Sequence, residues 1–467
     1  MASTQPAATS GAGGPDSPLP HGASAAAGSS AKARNRAADV SAVFRDSRQG
    51  QLRGAPAEHA KACHQCADDR EFLTAKVRPD YEDAPSPFQL VDLFAGGGGF
   101  TVGVAEAAHR LGRGTKVALA VENDDHAADV FGLNFPRANL VRSRVETLFD
   151  GEPGTPITAS ERSIALAVGE IDVLVAGPPC QGHSDLNNHT RRQDPRNALY
   201  LSAVRAVEVL RPTLVVIENV PAVRHDQGDV VGRSTEVLQA AGYSVVRDVF
   251  HLVKFGVPQR RRRHILLAAI NDRVDPSVMD RFGSACDDHA ERSVRWAIED
   301  LVDQTTESGP DSPSRPTSVN LKRMQWLIAR DAYNLPNEKR PKCHQGSHSY
   351  NSMYGRLAWD APAQTITTGF GCMGQGRFVH PAKPRTLTPH EAARLQTLPD
   401  FFDLDARKGR GVWATVIGNA VPPLFMVHLL TPLLDALPCR AVQETRLVDL
   451  TPHEPPVPLA LIGDSAS

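Results

Sequence analysis

The chain has 467 residues, a formal net charge of −2, a hydrophobic share of 41% and seven cysteines. That length permits a sizeable core and more than one domain, and so few cysteines in so long a chain exclude a small disulfide scaffold. No stretch approaches the run of roughly 20 apolar residues that a membrane helix needs, and the Ala/Gly/Ser/Pro-rich start has neither the basic start nor the apolar block of a secretion signal. A cytoplasmic protein with no membrane partner is therefore expected. Charge near zero also excludes a globally basic nucleic-acid binder, so positive charge for such a partner must be local. Arg260-Arg261-Arg262-Arg263-His264 and Arg191-Arg192 are the clusters available.

Residues 1–86 read as a disordered or poorly ordered extension, low-complexity over the first 40 and mixed and charged after that. Cys63-His64-Gln65-Cys66 is half of a zinc pattern, and a structural site needs four ligands. Cys343-His344 are too remote in sequence to complete it with any specificity, so no metal is expected.

From Phe88 the pattern changes. Residues 88–94 are an apolar strand, 95–99 a glycine turn and 101–110 a helix. Residues 117–121 form a second strand ending at Glu122, and 126–133 a helix. Strand 171–176 runs into Gly177-Pro178-Pro179-Cys180-Gln181, helix 199–210 follows, and strand 213–217 ends at Glu218. Strands alternating with helices, and apolar enough for burial on both faces, predict a doubly wound, Rossmann-like α/β sheet over residues 87–272. Residues 273–385 lose this rhythm and read as a second, smaller domain. Helices over 388–398 and 421–437 return the chain to the first domain across 386–438, and 439–467 read as a tail.

Ligands bind where strands end in open α/β sheets. The glycine turn Ala95-Gly96-Gly97-Gly98-Gly99 follows the first strand, and Glu122 closes the second. Glycines let a ligand approach the backbone, and an acid at that position accepts from both ribose hydroxyls. The pair fits NAD, FAD or S-adenosylmethionine. It is not a phosphate P-loop, because no Gly-Lys-Ser/Thr follows.

Cys180 follows two prolines at a strand end. A thiol there is exposed rather than stored, although free cysteines are more often buried hydrophobes than nucleophiles. Glu218-Asn219-Val220 closes the next strand, which brings a carboxylic acid into reach of that thiol. Arg261 and Arg263 alternate along an extended segment and are expected to share a face.

Taken in order, Asp92-Leu93-Phe94-Ala95-Gly96, Gly177-Pro178-Pro179-Cys180-Gln181, Glu218-Asn219-Val220, Gln259-x-Arg261-x-Arg263, Arg394-Leu395-Gln396 and Gly418-Asn419-Ala420-Val421-Pro422 resemble the conserved blocks of DNA cytosine-5 methyltransferases. The resemblance spans residues 88–436. It implies S-adenosylmethionine as cofactor, lined by Phe94, Ala95, Gly96, Gly97 and Gly99, with Glu122 on the ribose and Asn123 near the adenine. Pro178, Leu199, Asn419 and Val421 complete that pocket. It implies Cys180 as nucleophile, Glu218 on N3 and the exocyclic amine of a flipped cytosine, Arg263 on its O2 and Arg261 beside Cys180. Gln181, Ser184, Arg191, Arg192 and Arg196 would grip double-stranded DNA, and residues 273–385 would read its sequence through side chains such as His344, Gln345, His348, Tyr350 and Asn351. A monomeric bacterial modification enzyme is implied, with a cognate restriction or defence system as a possible partner. Two residues depart from the family pattern. His183 stands where an aromatic is usual, and Arg144 stands where an acid usually meets the adenine amine. Rival readings are a tRNA cytosine-5 methyltransferase, an inactive DNA-binding regulator, and an NAD- or FAD-dependent enzyme. The chain lacks the Cys-Phe-Thr signature of the first.

Overall fold

The computed structural model describes residues 64–83, 86–179, 199–270, 291–346, 352–405 and 407–437. Its frame is one seven-stranded sheet: β1 Phe88–Leu93, β2 Thr115–Glu122, β3 Leu140–Arg142, β4 Val173–Ala176, β5 Leu214–Asn219, β6 Tyr243–His251 and β7 Arg262–Ile270. The strand order is β3-β2-β1-β4-β5-β7-β6. The first five strands run parallel, and β7 enters antiparallel between β5 and β6. The predicted doubly wound sheet is therefore present, with an antiparallel hairpin on one side that the apolar runs did not reveal.

Burial explains the parallel strands. Every residue of β4 and β5 is buried, and β1 is buried at all but Gln89. Helices cover both faces, as parallel sheets require. One face packs against α1 Gly99–Arg110 and the returning helix α2 Pro423–Asp435. The other packs against helices that include α3 Ala159–Val168, α4 Leu199–Leu210 and α5 Val230–Ala240. Gly103 lets α1 and α2 approach, since a Cβ there would lie 2.5 Å from the Met426 Cβ and 2.8 Å from the Pro423 oxygen.

Within the 26 residues Arg410–Asp435, one 18-residue window is apolar enough by composition to pass as a membrane span, where no run of that kind is expected from the sequence. The segment is interrupted at Ala420-Val421-Pro422, and 78% of its most apolar window is buried inside the protein.

Of the expected poorly ordered extension, His64–Thr74 forms a helix whose Asp69, Phe72 and Leu73 are buried. Asp69 is the centre of an ionic knot. Arg110 reaches its Oδ1 at 2.7 Å, while Oδ2 meets both His428 Nε2, at 2.7 Å, and Arg292. Burial alone would raise this carboxyl. The His428 hydrogen bond and the surrounding cations overcome burial and hold it far below the usual carboxylate range. One carboxylate thus ties the helix to α1, to residue 292 and to α2.

The segment expected to form a smaller domain packs in two ways. Val294, Ala297, Ile298, Leu301, Leu357, Ala363, Ile366 and Phe370 join the main core. Met324, Leu327, Leu335, Tyr354, Met373 and Val379 form a separate small core.

Candidate active site

The parallel strands all end at one edge, which gathers the glycine turn, Glu122, Pro178 and Glu218 there. β1 lies between β2 and β4, so the turn after it sits between Glu122 and Gly177-Pro178. The turn is shaped by left-handed residues at Phe94 (φ 58°), Gly96 (φ 55°) and Gly98 (φ 96°). Gly96 N–H donates to Glu122 Oε2 at 2.7 Å, and Asp124 N–H donates to Glu122 Oε1 at 2.7 Å. Each carboxylate oxygen keeps a lone pair for another donor.

The four glycines divide their work. A Cβ at Gly96 would meet nothing within 4 Å, which leaves an open approach to its backbone. A Cβ at Gly97 would lie 2.6 Å from Val416 Cγ1, at Gly98 2.6 Å from Phe135 Cε2, and at Gly99 2.8 Å from the Val421 oxygen. Gly97, Gly98 and Gly99 are thus small for packing. The last of these contacts brings Val421 against the turn. Asn419 and Asn123 are exposed, and Leu199 is half-buried at the start of α4.

Asp92, behind the turn, is fully buried and accepts from Thr101 Oγ1 at 2.7 Å. Burial, reinforced by the Glu122 charge, pushes its carboxyl up to about 7 despite the Thr101 hydrogen bond. No role was assigned to it from sequence. The signal was an acid inside an otherwise apolar strand.

On the reactive side, Asn219 Nδ2 donates to the Pro178 oxygen at 3.3 Å, which ties the end of β5 to the loop two residues before Cys180. Glu218 is 8% exposed, and Arg263 Nε lies 2.5 Å from its Oε1. This is an ion pair by distance whose alignment falls outside a hydrogen bond. Strand register explains the pairing. Ile265 lies opposite Glu218, so Arg263, two residues away on β7, faces the same side. Arg261 precedes the strand and turns elsewhere: its Nη1 donates to the Ile366 oxygen at 3.1 Å and lies 3.5 Å from the Gly418 oxygen. The partners described for the two arginines differ, backbone oxygens for Arg261 and Glu218 for Arg263.

Cys180, Gln181, His183, Ser184, Arg191, Arg192 and Arg196 lie outside the described residues, as do His348, Tyr350 and Asn351. Arg144 is exposed and pairs with Glu146 at 2.5 Å. His344 meets the Tyr354 ring edge-on, and Gln345 Nε2 donates to the Arg340 oxygen. Among the described residues no group of three or more His, Cys, Asp or Glu side chains is arranged to hold a metal, and Cys66 is buried.

An open sheet in this order, with a glycine turn and acid at one end of the crevice and a carboxylate–arginine pair at the other, defines a Rossmann-like methyltransferase. A crystal structure of a putative DNA modification methyltransferase from an Escherichia coli prophage shares this fold, with a TM-score of 0.52 at 24% identity over 75% of this chain and 99% of that one. Residues 88–434 match the C-5 cytosine-specific DNA methylase family, and the chain belongs to that family. It is a DNA (cytosine-5-)-methyltransferase. Among curated relatives, Type II methyltransferase M1.BsuMI of Bacillus subtilis is 41% identical over 355 residues, 76% of this chain and 82% of its own length. Type II methylase M.HgiDII of Herpetosiphon aurantiacus is 30% identical over 347 residues, 71% of this chain and 91% of its own.

Proposed function

We propose that the protein methylates C5 of a flipped cytosine within a specific sequence of double-stranded DNA, through a covalent bond between Cys180 and C6. The observation that carries this reading is the Glu218–Arg263 pair, 2.5 Å apart, at the same sheet edge as the Gly96–Glu122 turn.

The pocket suits S-adenosylmethionine. The backbone at Gly96 is open and Glu122 retains acceptors for ribose hydroxyls; in this reading Phe94, Ala95, Gly97, Gly99, Asn123, Pro178, Leu199, Asn419 and Val421 complete the pocket. Bound there, the cofactor supplies an electrophilic methyl group. The protein's own groups prepare the acceptor. The Cys180 thiolate attacks C6, which breaks the ring's aromaticity and makes C5 enamine-like. Glu218 donates to or protonates N3 and so takes up the developing negative charge. Arg263 holds O2 and keeps Glu218 in place. After C5 has accepted the methyl group, water removes the C5 proton, the C5–C6 double bond re-forms and the Cys180 sulfur leaves. The cytosine must first rotate out of the duplex, which costs a few kcal/mol of unstacking.

Gln181, Ser184, Arg191, Arg192 and Arg196 grip the DNA backbone in this account, and residues 273–385 read base edges. The names of the relatives support a restriction–modification setting, and in this reading the chain acts as a monomer in a bacterial cytoplasm. Bisulfite sequencing of DNA from a methylation-free host expressing the protein tests the reading. A fixed sequence context around every protected cytosine is expected. No methylated cytosine in that DNA contradicts it.

A further inference from the structure

Gln259 and Gln396 are both fully buried, and they bond to each other although 137 positions separate them. Gln259 Nε2 donates to Gln396 Oε1 at 2.7 Å and to the Leu395 oxygen at 2.8 Å, while its Oε1 accepts from Ile366 N–H at 3.0 Å. Gln396 Nε2 donates to the Ile417 oxygen at 2.6 Å, with the Gly418 and Ala420 oxygens each at 3.4 Å. Both amide orientations follow from these partners. Turning Gln259 over would face its NH2 towards Ile366 N–H and its oxygen towards the Leu395 oxygen.

The relay has two functional ends. One is the segment Gln259–Arg263, which carries Arg261 and the Glu218 partner Arg263. The other is residues 417–421, where Val421 packs against Gly99 of the cofactor turn and Asn419 stands beside Gly418. Arg261 spans both, through the Ile366 and Gly418 oxygens. A Cβ on Gly418 would lie 2.3 Å from Thr368 N, so the 365–368 segment is pressed directly onto this wall. Packing alone would be met by apolar side chains of similar volume. A fully satisfied polar chain in a low-dielectric interior instead fixes direction and transmits displacement.

We infer that Gln259 and Gln396 are positioning residues that couple the cofactor wall at residues 417–421 to the arginines gripping the target cytosine. The inference rests on the reaction proposed above. Coupling of this kind is a reciprocal free energy between two ligands, typically a factor of about 5–150 in affinity.

The test measures the affinity of the full chain for cognate duplex DNA with and without S-adenosylhomocysteine, for the wild type, Gln259→Met, Gln396→Met and the double variant. The wild type is expected to bind DNA several-fold more tightly with the cofactor product. Each single variant is expected to bring that ratio within about twofold of one, and the double variant to go no further. A Gln396→Glu arm separates the relay from mere scaffolding. An ionised carboxyl at 396 can accept from Gln259 but cannot donate to the Ile417 oxygen, so at pH 8.5 coupling should fall in Gln396→Glu as it does in Gln396→Met. Folded single variants that keep the wild-type ratio would overturn the relay, as would a wild type that binds both ligands with no coupling. If the Met variants fail to fold, wild-type coupling in a folded Gln396→Glu at pH 8.5 overturns it. A wild type that binds neither DNA nor cofactor overturns the proposed reaction as well.

Discussion

Arg263 stands 2.5 Å from Glu218 because both residues project from the same face of two antiparallel neighbours, β5 and β7. The antiparallel insertion of β7 therefore brings a base-holding cation to an acid carried by a parallel strand. Glu218→Gln should lower single-turnover methyl transfer by roughly 10²–10⁴-fold, the range of a lost acid–base group. Arg263→Ala should fall in the same range. Cofactor affinity measured by calorimetry should stay near wild type in both, since neither residue faces the glycine turn.

Glu122 accepts two backbone N–H groups and is expected to accept two more donors from a ribose. Glu122→Ala removes charge-assisted bonds worth about 1.5–3 kcal/mol. S-adenosylhomocysteine should bind roughly 10–150-fold more weakly by calorimetry, while Glu122→Gln should retain part of the affinity.

The glycines should separate by what lies beyond each Cβ. Gly99→Ala puts a Cβ 2.8 Å from the Val421 oxygen, a backbone atom that has little room to yield, and overpacking of this kind costs about 1–3 kcal/mol. Thermal unfolding should show a lower Tm. Gly96→Ala meets no atom and should cost only about 1–2 kcal/mol of left-handed strain, while obstructing the cofactor directly. Loss of affinity exceeding loss of stability is the expected signature at Gly96, and the reverse at Gly99.

Buried His264 and half-buried His390 should oppose each other in pH dependence. Burial, aided by Arg224 and Arg247, pushes His264 down to about 4. Below pH 6.5 the unfolded chain binds a proton that native His264 does not, so stability falls as pH drops from 6.5 towards 4, by roughly 3 kcal/mol at the limit. Among the described residues neither His264 ring nitrogen has a hydrogen-bond partner. His264→Ile should remove this loss and raise the Tm at pH 5. His390 behaves in the opposite sense. Burial disfavours its charge, but hydrogen bonds to Asp311 and Asp400 outweigh burial and raise it to about 9. Its contribution is complete below pH 6.5 and disappears as pH rises through 9. Urea unfolding of wild type and His390→Gln across pH 5–10 should converge at the alkaline end.

Asp69 is the carboxylate that Arg292, Arg110 and His428 share in the ionic knot, with Glu106 a second partner of Arg110. Breaking a buried pair by removing one partner costs about 3–5 kcal/mol, because the other charges stay buried. Asp69→Asn should lower chemical stability by that order, and deletion of residues 1–75 should do the same.

Much of the catalytic frame was legible in sequence because parallel strands buried on both faces leave continuous apolar runs. The predicted helix at 199–210 matches Leu199–Leu210, and the strand at 117–121 is the core of Thr115–Glu122. β6 escaped notice because Tyr243–His251 lies at the sheet edge and is mostly half-buried, which leaves a mixed pattern. The helix His64–Thr74 was legible only as partly helical character within 41–86, because its buried face mixes Asp69 with Cys66, Phe72 and Leu73 and so shows no clear core pattern. Gln259, Asn219 and Gln396 were visible as members of motifs, but their bonds to each other and to Pro178 depend on segments brought together only by the fold. Gly97 and Gly99 looked like cofactor glycines alone, since the packing of Val416 and Val421 against them spans some 300 residues of chain.

The central claim is the covalent Cys180–C6 step. The most direct measurement is denaturing electrophoresis of the protein incubated with duplex DNA carrying 5-fluorocytosine at the methylated position. The fluorine cannot leave as a proton does, so the Cys180–C6 bond persists once the methyl group has transferred. A stable protein–DNA band that requires S-adenosylmethionine and disappears in Cys180→Ala is the result predicted. Methylation of the unmodified site without any such band, or a band that survives in Cys180→Ala, would contradict the mechanism.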